Sequence, residues 1–219
     1  MVIWYPENIT EHGSSRMKIA LIGATGQAGS EILAELSRRG HEVTAIVRHP
    51  EKIPSLPGVT AAKGDVFDRA GLTALLRGHD AVVSSVHFTQ SDPEILIAAV
   101  KEAGVGRYLV VGGAGSLEVA PGVALITTPE FPEAYRAEAQ AGADFLARLR
   151  REEGLDWTFL SPSALFFGGP RTGTFRLGQD RLLVDQDGKS RISFADFAIA
   201  MADEIETPKH SRSRFTAGY

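Results

Sequence analysis

The segment Gly23-Ala-Thr-Gly26-Gln-Ala-Gly29 constrains this chain more than any other. It follows the short apolar run KIALI at 18–22 and precedes a helical pattern in which Ile32, Leu33 and Leu36 recur at helical spacing. Such a run ended by glycine describes a strand buried on both faces, and Arg38-Arg39-Gly40 closes the helix. Each glycine has its own task. Gly23 permits the sharp turn, Gly26 lets an anionic group approach the backbone, and Gly29 lets the helix lie close on the sheet. The free amides and dipole of that helix N-terminus then face the anion. Strand, glycine turn and helix in this order make a dinucleotide-binding unit, against the competing reading of a merely structural turn. Thr25, Gln27 and Ala28 are its other candidate contacts.

The alternation continues along the chain. Residues 43–47 read as a second strand and 59–62 as a weaker third. Asp68 then serves as N-cap for a helix carrying Leu72, Leu75 and Leu76. Residues 81–86, 108–111 and 157–160 read as the fourth, fifth and sixth strands, with helices over 95–100 and 132–151 between them. Helices between apolar strands imply parallel pairing by right-handed crossovers. The expected class is α/β, a Rossmann-type doubly wound parallel sheet with helices on both faces and strand order 3-2-1-4-5-6. Residues 17–219 read as a single NAD(P)-binding domain, with 161–219 a small C-terminal lobe on the substrate side. That lobe is expected to hold short strands at 174–177 and 182–185, a tight turn at Asp187-Gly188 before 191–193, and a final helix over 194–206. Residues 1–16 show neither periodicity and read as an extension, disordered or non-native. The sequon Asn8-Ile9-Thr10 has no secretion signal to give it meaning.

Composition narrows the chemistry. A chain of 219 residues buries roughly 70% of its unfolded surface and needs no metal or disulfide staple. Lys and Arg number 23 against 27 Asp and Glu, a net charge of −4, which argues against a nucleic-acid partner. There is no cysteine, so disulfides, thiolate metal sites and thiol nucleophiles are excluded together. The six histidines show no ligand spacing, and no metal is expected. No apolar run approaches the roughly 20 residues that cross a bilayer. No membrane partner is expected, and the expected location is the cytoplasm.

Further positions refine the nucleotide site. Arg48 ends the second strand, where a guanidinium can pair with a 2′-phosphate and favour NADP(H). Glu51 keeps NAD(H) open, because an acid in this loop holds ribose hydroxyls instead. Asp65 and Val66 follow the third strand, where an Asp can meet the adenine amino group; an ordinary turn Asp is the competing reading. Ser84, Ser85 and Val86 end the fourth strand beside the cofactor path, and Gly112 and Gly113 end the fifth, where small residues admit a flat ring. His87, Phe88, Phe131, Tyr135 and Phe166 fall in segments expected near the pocket mouth. His87 and Tyr135 are the candidates for catalysis and the three phenylalanines for pocket walls. For each, core packing or surface exposure is the competing reading.

The GATGxxG loop, V-R-x-x-x-K at 47–52, Gly64-Asp65-Val66, VVGGAGSL at 110–117, DWTFLSPS at 156–163 and the stretch from Arg191 resemble the atypical short-chain dehydrogenase/reductases. The nearest likeness is to the bacterial NADH-flavin reductase group, related to NmrA-like proteins and to biliverdin/flavin reductase, and it covers nearly all of 17–219. The resemblance implies an NAD(P)H-dependent oxidoreductase that passes hydride to a small-molecule acceptor, a flavin or quinone-like ring, with the flavin as substrate rather than bound prosthetic group. It also admits a non-catalytic NADP(H)-binding redox sensor of NmrA-like type, acting through a protein partner. One departure stands out. Ordinary members of the superfamily use a Ser and a Tyr-x-x-x-Lys unit; here Tyr135 is followed by Ala139 where the lysine would stand, and Gly112-Gly113 replaces the serine. Carbonyl reduction through that unit is not expected.

Overall fold

The computed structural model describes residues 16–219; apart from Arg16, the expected extension and its sequon at Asn8 lie outside the described residues. In chain order the main elements are β1 (Lys18–Ile22), α1 (Gln27–Arg38), β2 (Glu42–Val47), β3 (Val59–Lys63), α2 (Arg69–Leu76), β4 (Ala81–Ser84), α3 (Pro93–Glu102) and β5 (Arg107–Val111). A small antiparallel pair, β6 (Glu118–Ala120) and β7 (Val123–Ala124), precedes α4 (Arg136–Leu149) and β8 (Asp156–Pro162). There follow β9 (Leu165–Phe167), β10 (Arg176–Gly178), β11 (Arg191–Ser193), α5 (Phe194–Glu206) and β12 (Ser213–Gly218).

The main sheet runs β3-β2-β1-β4-β5-β8-β12-β10, parallel throughout except for the β12–β10 edge. Its first six positions reproduce the expected 3-2-1-4-5-6 order, with β8 as the sixth strand. The order reverses between β1 and β4, where open sheets of this kind place their ligands. Ile22 pairs with Ser84, so Gly23 and Ser85 leave the sheet side by side at that switch point.

Alternation along the strands divides the core in two. Ile19, Leu21, Val43, Ala45, Val83 and Leu109 meet residues of α1 and α5 on one face. Ala20, Ile22, Val82, Tyr108 and Val110 meet α2, α3 and α4 on the other. Asp68, Asp92 and Ser193 cap α2, α3 and α5 by accepting first-turn amides. α1 instead opens on Gly26 with no side-chain cap.

The C-terminal segment departs from its expected elements. The strand expected at 174–177 is β10, which begins two residues later and ends one later, but 182–185 is not a strand. Its apolar character serves packing: Leu183 lies where side chains at Gly178 and Gly218 would otherwise sit. The Asp185–Gly188 turn forms, with the Gly188 amide donating to the Asp185 carbonyl. β9, not foreseen, pairs parallel with β11. β12, also not foreseen, enters the main sheet beside β8, so part of the segment 161–219 completes the sheet. The long helix expected from 132 begins only at Arg136, because Glu133–Tyr135 forms a separate 3-10 turn. Among the described residues no helix is long and apolar enough to cross a membrane.

Candidate functional site

The glycine loop sits at the carboxyl ends of β1 and β4. Gly23 has φ +85°, and a β-carbon there would lie 2.2 Å from the Ser85 carbonyl oxygen. A β-carbon on Gly29 would lie 2.2 Å from the Gly23 carbonyl oxygen. Gly26 differs. Its φ is −70°, and a β-carbon would meet only the Gly23 and Ser85 carbonyl oxygens, at 3.5 and 3.9 Å. The surrounding protein does not require a glycine at 26. The space it leaves lies at the N-terminus of α1, where the first intrahelical bond runs from the Ser30 amide to the Gly26 carbonyl and the amides before it lack helical acceptors. With no acid in its first turn, this end of α1 is a cradle that a pyrophosphate fits. Thr25 and Gln27 are exposed beside it, whereas Ala28 is buried and offers only its amide.

Beyond β2, Arg48 is exposed, and among the described residues no carboxylate lies within ion-pair distance of it. Glu51 is engaged within its own turn: its backbone amide holds the carboxyl below the usual range, assisted by His49, whose Nδ1 is 3.1 Å away. Beyond β3, Asp65 accepts a hydrogen bond from the Phe67 amide at 2.9 Å, an Asp-turn geometry that leaves its residue exposed. Val66 is half-buried beside it.

Three of the expected contacts turn out to serve the core. The Ser84 side chain is buried and shares a hydrogen bond with the Tyr108 hydroxyl at 2.9 Å, so it faces the α2–α4 layer rather than the cofactor path. Burial pushes the Tyr108 hydroxyl pKa up. Gly112 is small because a β-carbon would strike the Phe159 ring at 2.3 Å and the Leu160 carbonyl oxygen at 2.9 Å. Phe88, expected as a pocket wall, is buried between Phe145 and Phe159, with ring centroids 5.5 and 6.0 Å away. Ser85 and Val86 do border the loop, the former through its carbonyl and the latter through Cγ1. Gly113 keeps open space, with only the Phe88 ring edge at 3.9 Å from a β-carbon.

The remaining aromatic candidates are dispersed. Phe166 packs on Phe194 and Phe197 at 4.4 and 4.7 Å. Phe131 carries the Arg136 guanidinium 5.5 Å above its ring. Tyr135 is 67% exposed, and the His87 side chain is 73% exposed. Ala139 lies against Gly115, whose β-carbon would sit 2.7 Å from that of Ala139. A cleft of about 510 Å³ bordered by Lys18, Glu42 and His79 opens at the amino ends of the strands, away from the glycine loop. Among the described residues no three His, Cys, Asp or Glu gather as a metal site.

One residue that sequence reasoning missed borders His87. Glu138 of α4 accepts hydrogen bonds from the Phe88 amide at 2.7 Å, the Thr89 amide at 3.0 Å and the Thr89 hydroxyl at 2.7 Å. Its Oε1 is 3.4 Å from His87 Nδ1. Burial works against the charge, but these donors prevail and hold the carboxyl below the usual range. In sequence Glu138 looks like any helix-surface acid, and nothing local links it to residues about 50 positions earlier.

The NAD(P)H-binding family matches residues 23–205. The uncharacterized protein YwnB of Bacillus subtilis is 44% identical over 211 residues, 91% of this chain and 97% of its own. A Bacteroides thetaiotaomicron structure provisionally described as an epimerase is 43% identical, with TM-score 0.89, covering 94% of this chain and 98% of its own. A Streptococcus pneumoniae structure provisionally described as an NADH-flavin reductase is 37% identical, with TM-score 0.78, covering 92% and 99%.

Proposed function

Because this chain belongs to the NAD(P)H-binding family, we propose that it is an NAD(P)H-dependent reductase of a flat, conjugated acceptor such as a flavin or quinone-like ring. The observation that carries this reading is the space left by Gly26 at the uncapped end of α1, beside the switch point of the sheet. The bound dinucleotide supplies hydride. The chain's part is to hold the pyrophosphate on the first-turn amides of α1 and the 2′-phosphate on Arg48, which favours NADP(H). The lysine of the ordinary Tyr-x-x-x-Lys unit is replaced by Ala139, packed on Gly115. That departure favours an acceptor whose ring system spreads the incoming charge, so that hydride transfer depends on stacking and distance and not on the Tyr-x-x-x-Lys acid. It also disfavours epimerisation through the same unit. The flavin enters as a substrate and leaves reduced.

The exposure of Tyr135 and His87 supports a second reading, a redox sensor that binds NADP(H) and reports through a protein partner. NADPH oxidation followed with and without FMN, with NADPH fluorescence recorded in the same sample, separates the two. Turnover that requires FMN is the expected result. Saturable binding without turnover for any flavin or quinone would leave the sensor.

A further inference from the structure

We propose that His87 donates the proton that completes reduction of the acceptor, and that Glu138 is the positioning residue that holds its ring for that task. This rests on the reductase reading above. His87 lies two residues beyond Ser85, whose carbonyl abuts Gly23, so it stands at the carboxyl end of a central strand next to the nucleotide loop. It is the first exposed residue after the strand, Ser85 and Val86 before it being half-buried. Neither half of the ordinary acid unit competes for the role. Tyr135 has Ala139 in place of its lysine, and Gly112-Gly113 occupies the place of the serine.

Glu138 fixes the backbone that carries His87 and places a negative charge beside its ring. Its carboxylate gathers the Phe88 amide, the Thr89 amide and the Thr89 hydroxyl, which pins the turn that begins at His87. The same carboxylate faces Nδ1 of the His87 ring at 3.4 Å, an ion-pair distance. Among the described residues it is the only acid at such a distance from His87. The contact is one of charge at ion-pair distance rather than an aligned hydrogen bond; it favours the proton on Nδ1, beside the carboxylate, and leaves Nε2 for the acceptor. A carboxylate that orients an imidazole through one nitrogen while the other transfers a proton is a general solution for acid–base work.

The step balances as follows. Hydride addition at one atom of the acceptor breaks a C–H bond of the dihydronicotinamide and leaves an electron pair on a conjugated heteroatom of the acceptor. That pair takes the proton from Nε2 of the His87 imidazolium; one N–H bond breaks and one bond to hydrogen forms. The neutral ring keeps its Nδ1 proton beside the Glu138 charge and regains its Nε2 proton from solvent, to which the side chain is open. Glu138 stays ionised throughout. The acceptor class this implies is a ring with a nitrogen or oxygen conjugated to the hydride-accepting atom.

The test uses the full chain, wild type against His87→Gln, Glu138→Gln and Glu138→Asp. Nitrogen-15 NMR of the imidazole in the free protein reads the tautomer of neutral His87, and steady-state oxidation of NADPH with a quinone-imine dye reads the reaction. The expected result is an Nδ1–H tautomer in the wild type that changes to Nε2–H in Glu138→Gln and returns in Glu138→Asp. Turnover falls about 100-fold in His87→Gln, the size of a lost general acid, while NADPH affinity by fluorescence stays within twofold. An Nε2–H tautomer in the wild type would overturn the positioning role, and turnover of His87→Gln within twofold of wild type would overturn the proton role. Absence of turnover in the wild type with every flavin and quinone overturns the reductase reading itself, and the tautomer measurement still shows separately whether Glu138 holds the ring.

Discussion

A β-carbon on Gly29 would lie 2.2 Å from the carbonyl oxygen of Gly23, so the loop that leaves β1 and the helix that follows it are in backbone contact. Gly26, between them, makes no such contact, and this separates structure from binding. Gly29→Ala forces backbone against backbone and is expected to cost about 1–3 kcal/mol, as overpacking does. Gly26→Val is expected to leave the melting temperature nearly unchanged and to weaken NADPH at least tenfold, because its side chain enters the cradle. Thermal unfolding and NADPH fluorescence on both variants decide the matter. Retained affinity in Gly26→Val would remove the loop from the site.

Arg48 and Glu51 share the loop after β2 and make opposite demands on the cofactor. Arg48 is exposed and free of ion pairs among the described residues, whereas Glu51 is held by its own amide and by His49. Arg48→Ala is expected to weaken NADPH by roughly tenfold or more, since a charge-assisted hydrogen bond contributes about 1.5–3 kcal/mol. NADH should change little. Paired dissociation constants for the two cofactors check this; an equal loss for both would mean that Arg48 does not read the 2′-phosphate.

The parts of this fold that were legible in the sequence are those whose cause is local. The β1–loop–α1 unit, the Asp68 cap and the span of α5 each follow from a few consecutive residues. Ser84 and Gly112 read as cofactor contacts because they end the right strands, and Phe88 as a pocket wall because it falls in a segment expected near the pocket mouth. Which way each faces depends on Tyr108, Phe159 and Phe145, partners brought close only by the sheet and its helices. β12 was invisible for a related reason. Its buried positions include Arg214 and Thr216, polar residues that break the apolar signature of an interior strand. Both are satisfied at long range, Arg214 by Asp180 and Ser116, and Thr216 by the Ser161 carbonyl.

The missing lysine can be tested by restoring it. Ala139 packs on the Gly115 backbone, which brings α4 against the loop that leaves β5. Ala139→Lys recreates Tyr-x-x-x-Lys on paper, yet its longer side chain has to displace that contact. The expected outcome is a loss of about 1–3 kcal/mol in stability and no gain of ketone reduction. A variant that keeps its melting temperature and reduces simple ketones with NADPH would show that the contact is not what excludes the ordinary unit.

Glu35 ties the nucleotide half to the C-terminal segment, and that tie makes stability depend on pH. Its side chain is 2% exposed and faces Arg38, Arg39 and Arg171, the last two with Nε at 2.9 Å. Burial opposes the charge, but the Arg171 and Arg39 guanidinium groups prevail and hold the carboxyl below its ordinary 4.5. Asp196 behaves alike: despite burial, the Thr172 hydroxyl, the Gly173 amide and the Tyr219 hydroxyl keep it below 3.8. A carboxyl depressed in the folded state adds stability that is fully present above its unfolded value and is lost as pH falls through its folded value. The melting temperature is therefore expected to be flat between about pH 7 and 5 and to fall from about pH 4.5 downward. Glu35→Gln leaves three arginines without their shared carboxylate and is expected to cost about 3 kcal/mol at pH 7. Its deficit should shrink as pH falls toward 3, because the wild type then loses the same charge. Thermal unfolding of both proteins across this range is the check, and a deficit that stayed constant with pH would show that the Glu35 charge is not what joins α1 to the Arg171 loop.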